Sequence, residues 1–427
     1  MSRYDRYKDS GVKWIGEIPS HWEVGKMREF FSEKKELSKD GTEKLLSVSE
    51  YTGITPSTNE EGENISRSKS LIGYKKCSVS DLVINIMLAW KRGLAISPFN
   101  GIVSPSYCVF STKGLNPNFA NYLLRTDLYI AEFKRNSTGI IESRLRMYPD
   151  DFKNIQCIKP PLGEQEAIVA YLDKETGDID KAIEAQQKLI EALNERKQII
   201  ITNAVTKGLN PEAPLKDSGI DWLGQIPEHW EIRRLKWLIS GSMQYGANES
   251  PDEFSESLPR YIRITDISKE GKLKKEGAVS LSERKAKKFL LDKGDILFAR
   301  SGATVGKTFL FNEDFSACFA GYLIRIKCNS NMVPEFLLYF TQSSVYENWK
   351  NYIFNKATIQ NIGADKYITL SIPLPIVSEQ KEIVKFINDK ISPLNAQTTN
   401  CEKMISLLLE RKQIIINDVV TGKKKVI

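Results

Sequence analysis

The chain has 427 residues, of which 27% are charged and 41% hydrophobic, with a formal net charge of +7 at pH 7. That length exceeds one ordinary core, and no apolar run reaches the 18 residues that a membrane-spanning helix needs. Cysteines 77, 108, 157, 318, 328 and 401 form no Cys-x-x-Cys pair, and Met1 to Arg6 does not read as a signal peptide; both point to reduced structural thiols in a cytoplasmic protein.

The first element is Asp9-Ser-Gly-Val-Lys-Trp-Ile-Gly-Glu-Ile-Pro-Ser-His-Trp22, where Gly and Pro interrupt regular structure and two Trp supply area to bury. Strand-like runs follow at Asp81 to Leu88 and Ile102 to Phe110, then a helical stretch from Asn118 to Phe133. From Val169, apolar residues recur at alternating steps of three and four through Leu172, Ile179, Ile183, Ile190, Leu193, Ile200 and Ala204. This is the narrow seam of a coiled coil, interrupted at Gly177.

The pattern then repeats. Asp217-Ser-Gly-Ile-Asp-Trp-Leu-Gly-Gln-Ile-Pro-Glu-His-Trp230 matches the first segment at an offset of 208 (217 less 9). Strand-like Asp295 to Arg300 and Gly321 to Ile326 precede a helical stretch from Pro334 to Trp349. A second seam runs through Val384, Ile387, Ile391, Leu394, Cys401, Ile405, Leu408, Ile415 and Val419, with Glu410 to Ile416 repeating Glu195 to Ile201 unchanged. Ser392-Pro393 reads as a helix restart, so each seam is expected to be a short helix followed by one of about 28 residues, roughly 42 Å long. Lys197 and Lys412 occupy equivalent polar seam positions and are expected to fix register, and antiparallel pairing within the chain satisfies both seams.

The expected fold class is therefore mixed α+β: two tandem α/β units separated by two long helices that form an antiparallel coiled coil. The divisions expected are 1–160, 161–208 (helical), 209–376 and 377–427 (helical). Residues 1–160 carry 24 Lys and Arg against 19 Asp and Glu, whereas 161–216 carry 7 against 10. A polyanion is drawn to the former and repelled by the latter. Residues 40–76 align poorly with 240–288, and 84–100 with 298–314. A duplicated scaffold with unlike loops suits two readers of different sequences.

The stretches that resemble catalytic motifs fail on spacing or context. Ser301-Gly-Ala-Thr-Val-Gly-Lys-Thr308 has three residues between its glycines where a phosphate loop has four. Pro251-Asp252 with Glu283-Arg-Lys285 is a superficial nuclease likeness in an acidic loop, and His21 and His229 lack companion ligands and are expected to be structural.

The repeated Trp-x-Gly-x-Ile-Pro-x-His-Trp openings, Pro160-Pro-Leu-Gly-Glu-Gln165 with its echo Pro375-Ile-Val-Ser-Glu-Gln380, Val205-Thr-Lys-Gly-Leu-Asn-Pro211 and Gly101-Ile-Val-Ser-Pro-Ser-Tyr107 stand in one order along the whole chain. In this it resembles the specificity (S) subunit of a type I restriction–modification enzyme. The resemblance implies two target-recognition domains, each reading half of a split double-stranded DNA site, and no catalysis by this chain. It implies assembly with two methyltransferase (M) subunits and with restriction (R) subunits, no membrane, and no cofactor on this chain; S-adenosylmethionine, ATP and Mg belong to the partners. The rival readings are a protein-only scaffold and an enzyme with an unrecognised active site.

Basic and amide residues of the diverged loops are the DNA-binding candidates: Arg67, Lys69, Lys75, Lys91, Arg92, Arg144 and Arg146 in the first half, and Gln244, Arg300, Ser301, Thr304, Lys307, Lys356 and Gln360 in the second. The seam that joins subunit and coiled coil is expected at Ile179, Ile183, Ile190, Leu193, Ile200, Leu394, Ile405, Leu408, Ile415 and Val419. No metal site is expected.

Overall fold

The computed structural model describes residues 2–57, 71–268, 271–302, 304–354 and 361–426. The chain forms two compact units, Met1–Gln186 with Glu402–Ile427, and Gln187–Cys401. The division passes through both long helices, so each unit takes part of each. The sequence-based boundaries treat the helices as separate segments instead.

In the first unit, Tyr7–Asp9 and Glu17–Pro19 form an antiparallel hairpin that brings Trp22 into the core. The main sheet is four-stranded and antiparallel, in the order Phe31–Lys34, Tyr107–Thr112, Leu82–Asn85, Leu94–Ile96. Leu82–Asn85 is buried along its whole length, which explains a continuous apolar run where alternation would mark a half-exposed strand. The run from Ile102 to Phe110 is two strands, Gly101–Val103 and Tyr107–Thr112, because Ser104-Pro105-Ser106 turns the chain between them. The stretch from Asn118 to Phe133 likewise divides into Pro117–Leu124 and Asp127–Arg135, with Thr126 capping the second helix.

The second unit rebuilds this plan. Leu215–Asp217 pairs with Gln225–Pro227, and the main sheet runs Gln244–Tyr245, Leu323–Ile326, Ile296–Ala299, Thr308–Leu310, again antiparallel throughout. Helices Pro334–Thr341 and Ser344–Phe354 replace the single helix expected there. A smaller pairing is shared as well: Ile102 is flanked by antiparallel Lys76 and parallel Leu45, and Cys318 by antiparallel Leu290 and parallel Tyr261.

The long helices are continuous, Leu162–Lys207 over 46 residues and Val377–Val420 over 44. This corrects the expected breaks. Gly177 costs a helix about 1 kcal/mol and Pro393 about 3 kcal/mol. Buried Ile387 and Leu394 on either side of Ser392-Pro393 hold the axis through that defect.

All ten seam residues are buried or half-buried, while most intervening positions are exposed. Within the first unit Lys412 Nζ meets Asp180 at 2.6 and 2.8 Å, and within the second Lys197 Nζ donates to Asn395 Oδ1 at 2.9 Å. Asp180 and Asn395 are themselves equivalent at an offset of 215 (395 less 180). Each seam lysine therefore reaches the same position on the opposite helix, as register-fixing residues should.

Candidate nucleic-acid interface

Each unit is locked to the start of its long helix by one carboxylate, buried at Glu164 and half-buried at Glu379. In the first, His21 Nε2 lies 2.8 Å from Glu164 Oε2 and the Tyr4 hydroxyl donates to Glu164 Oε1. In the second, Glu379 accepts from Trp230 Nε1 at 3.0 Å and lies 3.1 Å from His229 Nε2. Gln165 and Gln380 donate to the carbonyls of Pro160 and Pro375 at 2.7 and 2.9 Å, closing the strand-to-helix turn. The structural role expected of the histidines acquires partners that lie more than 140 residues away in sequence.

The diverged loops sit at the ends of the central strands. In the first unit Trp90 follows strand Leu82–Asn85, with its indole N–H donating to Met87 O at 3.0 Å. Lys91 Nζ lies 4.8 Å and Lys134 Nζ 5.5 Å from the Trp90 ring centroid. Lys134 also pairs with Glu142, one residue before Ser143 and two before the exposed Arg144. Arg146 is exposed as well, its backbone paired in both directions with Thr138 at 2.9 Å. Lys91, Arg144 and Arg146 are thus brought to one neighbourhood, together with Lys134, which the sequence-based set omits.

Arg92 and Lys75 are engaged internally. Arg92 takes a left-handed conformation (φ 61°), donates through Nε to Arg125 O at 3.1 Å and pairs with Asp127. Arg125 in turn donates to the carbonyls of Arg92 and Leu94 at 3.1 and 2.6 Å, and Lys75 Nζ donates to Tyr107 O at 2.5 Å. Arg67, Lys69, Lys356 and Gln360 lie outside the described residues.

In the second unit Arg300 ends strand Ile296–Ala299 and leads into the turn that carries Ser301, Thr304 and Lys307. Ser301 and Thr304 are half-exposed and Lys307 is exposed. This is a connection between antiparallel strands, not a phosphate loop opening a helix. Gln244 is committed to the fold: its Nε2 donates to Lys288 O at 2.8 Å and its Oε1 accepts from Arg325. Tyr245 beside it stacks under Arg300 and was not expected from sequence; an aromatic next to Gln244 at the sheet edge is the only signal it leaves.

The nuclease-like residues are structural, since Asp252 Oδ2 accepts from Ser282 N at 3.0 Å and its backbone pairs with Ser280. Among the described residues no group of three or more His, Cys, Asp or Glu is placed to hold a metal ion, and no helix is long and apolar enough to cross a membrane. All six cysteines are unpaired thiols.

The type I restriction modification DNA specificity domain profile matches residues 19–195 and again 227–403, the same offset of 208 that the opening motif shows. The type I restriction enzyme MjaVIII specificity subunit of Methanocaldococcus jannaschii is 26% identical over 442 residues, spanning 98% of this chain and 97% of that one. The type I restriction enzyme EcoKI specificity subunit of Escherichia coli K12 is 24% identical over 207 residues, covering 47% and 44%. A chain solved in work on complex assembly and conformational transition of the type I R-M system superimposes with a TM-score of 0.69 at 16% identity, covering 94% of this chain and 98% of that one.

Proposed function

The chain belongs to the family of type I restriction–modification DNA specificity domains, and we propose that its two units read the two unlike halves of one bipartite DNA site. The observation that carries this is a pair of matching four-stranded sheets bearing unlike side chains at equivalent positions. Met147 N–H donates to Ile86 O at 2.9 Å in the first unit, and Ile362 N–H donates to Arg300 O at 2.9 Å in the second. The backbone bond is the same; one strand end is apolar and the other carries a guanidinium. Lys91, Lys134, Arg144 and Arg146 form the DNA-facing patch of the first unit, and Arg300, Ser301, Thr304 and Lys307 that of the second. The lysines hold phosphates and the arginines reach base edges.

The chain is a non-catalytic, cytoplasmic specificity subunit in this reading. Its long helices hold two methyltransferase subunits, which bind S-adenosylmethionine, and the complex recruits ATP- and Mg-dependent restriction subunits. Support comes from apolar residues exposed at matching places: Ile199 is 53% and Ile414 49% exposed, and Leu189 and Met404 form a second such pair. Both pairs are 215 residues apart (414 less 199; 404 less 189), so each helix offers the same patch to one copy of the same partner. A seven-residue insertion between Glu184 and Glu191, matched between Thr399 and Ser406, keeps the seams in phase and lengthens the unread spacer without altering either half-site.

The test is methylation of DNA by the chain together with its methyltransferase partner. The pair methylates a split site, the chain alone neither methylates nor cleaves, and Ile199→Glu with Ile414→Glu abolishes co-purification of the partner. Turnover by the pure chain, supplied with S-adenosylmethionine or Mg, contradicts this reading.

A further inference from the structure

The second unit contains a polar cluster that its own fold leaves incomplete. The Arg300 backbone is fixed on both sides, its N–H donating to Tyr322 O at 3.0 Å and its carbonyl accepting from Ile362 N at 2.9 Å. Its guanidinium carbon lies 5.0 Å from the centroid of the Tyr245 ring, and the Tyr245 hydroxyl accepts from Ala364 N at 3.0 Å, so the stacking platform is itself held. Ser301, the next residue, is bridged antiparallel to Asn361.

Arg300 Nε and Asn361 Oδ1 are both buried, and neither has a hydrogen-bond partner among the described residues. A folded chain rarely leaves a buried donor or acceptor unmet, because burial strips its water and returns nothing. Two aromatic rings border the cluster in the open, Tyr322 at 64% and Tyr245 at 41% exposure.

We propose that Arg300, braced on Tyr245, reads a guanine in the half-site of the second unit, and that Asn361 Oδ1 accepts from the amino group of the cytosine paired with it. This rests on the reading of that unit as a DNA-binding domain. A planar fork held over a ring matches the O6 and N7 acceptors of guanine, which lie side by side in the major groove. A phosphate contact needs neither the plane nor the platform, and the exposed Lys307 on the following turn suits that task. Both atoms are sealed from solvent in the free chain, so the two side chains turn outward on binding, where the cytosine amino group supplies the donor that Asn361 lacks.

The experiment uses the full chain assembled with its methyltransferase and a set of duplexes in which every base pair of the mapped site is replaced in turn. The wild-type complex discriminates against loss of one G·C pair in the second half-site by roughly 10- to 100-fold. Arg300→Gln and Arg300→Lys lose that preference while keeping those at every other position, including the whole first half-site, which serves as the folding control. Arg300→Lys keeps the charge and the stem, and carries the test if the glutamine variant aggregates. Tyr245→Ala weakens the same preference and no other.

Equal weakening on every duplex, with a salt dependence reduced by about one phosphate contact, makes Arg300 a backbone anchor and overturns the assignment. An unchanged preference overturns it too. Failure of the wild-type complex to bind any duplex is a different result, because it removes the DNA reading of the unit itself.

Discussion

The two units solve one structural problem with different partners. At the start of the first long helix Glu164 is held by Tyr4 and His21, and the Trp22 indole N–H is buried without a partner among the described residues. At the start of the second, Glu379 takes both His229 and the Trp230 indole N–H. Tyr4 takes the carboxylate in the first unit, and no tyrosine stands at the equivalent position, where Glu212 lies 208 residues on (212 less 4). What the fold conserves between its halves is a carboxylate that must be met, not the group that meets it. The reading faces differ more deeply. Ile86 O accepts from Met147 N, the neighbour of exposed Arg146, whereas Arg300 O accepts from Ile362 N, the neighbour of Asn361, so the guanidinium stands on opposite sides of one shared backbone bond.

The largest effect expected from breaking this comparison is loss of an anchor. Trp22→Ala and Trp230→Ala each remove a fully buried ring and are expected to cost about 3–5 kcal/mol. Denaturant unfolding followed by hydrogen exchange should show each variant opening its own unit first. Replacement by Phe sharpens the contrast. Trp22→Phe removes no hydrogen bond, whereas Trp230→Phe removes one to a carboxylate, so the second variant should be less stable than the first by about 1.5 kcal/mol or more.

Alkaline pH tests whether the cores are equally dry. Burial pushes the thiols of Cys157, in the first unit, and Cys328, in the second, up to about 12. The unfolded chain loses these protons near the ordinary thiol value of about 8.5, and the native chain keeps them. The stabilisation they reflect is complete below that value and is lost as pH rises from there towards 12, by up to about 1.4 kcal/mol per pH unit for each thiol. Stability measured from pH 8 to 11 should therefore fall, and Cys157→Ala and Cys328→Ala should flatten that fall by similar amounts. The smallest effect concerns the seam lysines. Asp180→Asn makes the first unit resemble the second, and Asn395→Asp does the reverse. Because Asp180 is more than half exposed, changes of no more than about 0.5 kcal/mol are expected, with opposite signs, in thermal melts at low salt.

The scaffold was legible wherever burial imposes a period. Seam residues Ile179, Leu193, Leu394 and Val419 are buried as their spacing requires, and strand Ile296–Ala299 was found as an apolar run. Local breaker signals misled where packing overruled them, as at Ser392-Pro393, and succeeded too weakly where a cap divided a helix, as at Thr126. The reading face was harder to see because a basic residue is free or occupied according to partners remote in sequence. Arg92 is spent on Arg125 and Asp127, and Gln244 on Lys288 and Arg325, none of which adjoins it in the chain. Arg300 differs from them only through Tyr245 and Asn361, and no one-dimensional pattern joins those three.

The central claim, that one duplicated scaffold carries two different readers, is tested most directly by mapping methylated adenines across the genome in cells with and without this chain. The expected result is a single motif that depends on the chain, composed of two short half-sites of different sequence separated by a gap of fixed length and free composition. A continuous motif, or two half-sites that are inverted copies of one another, would contradict it.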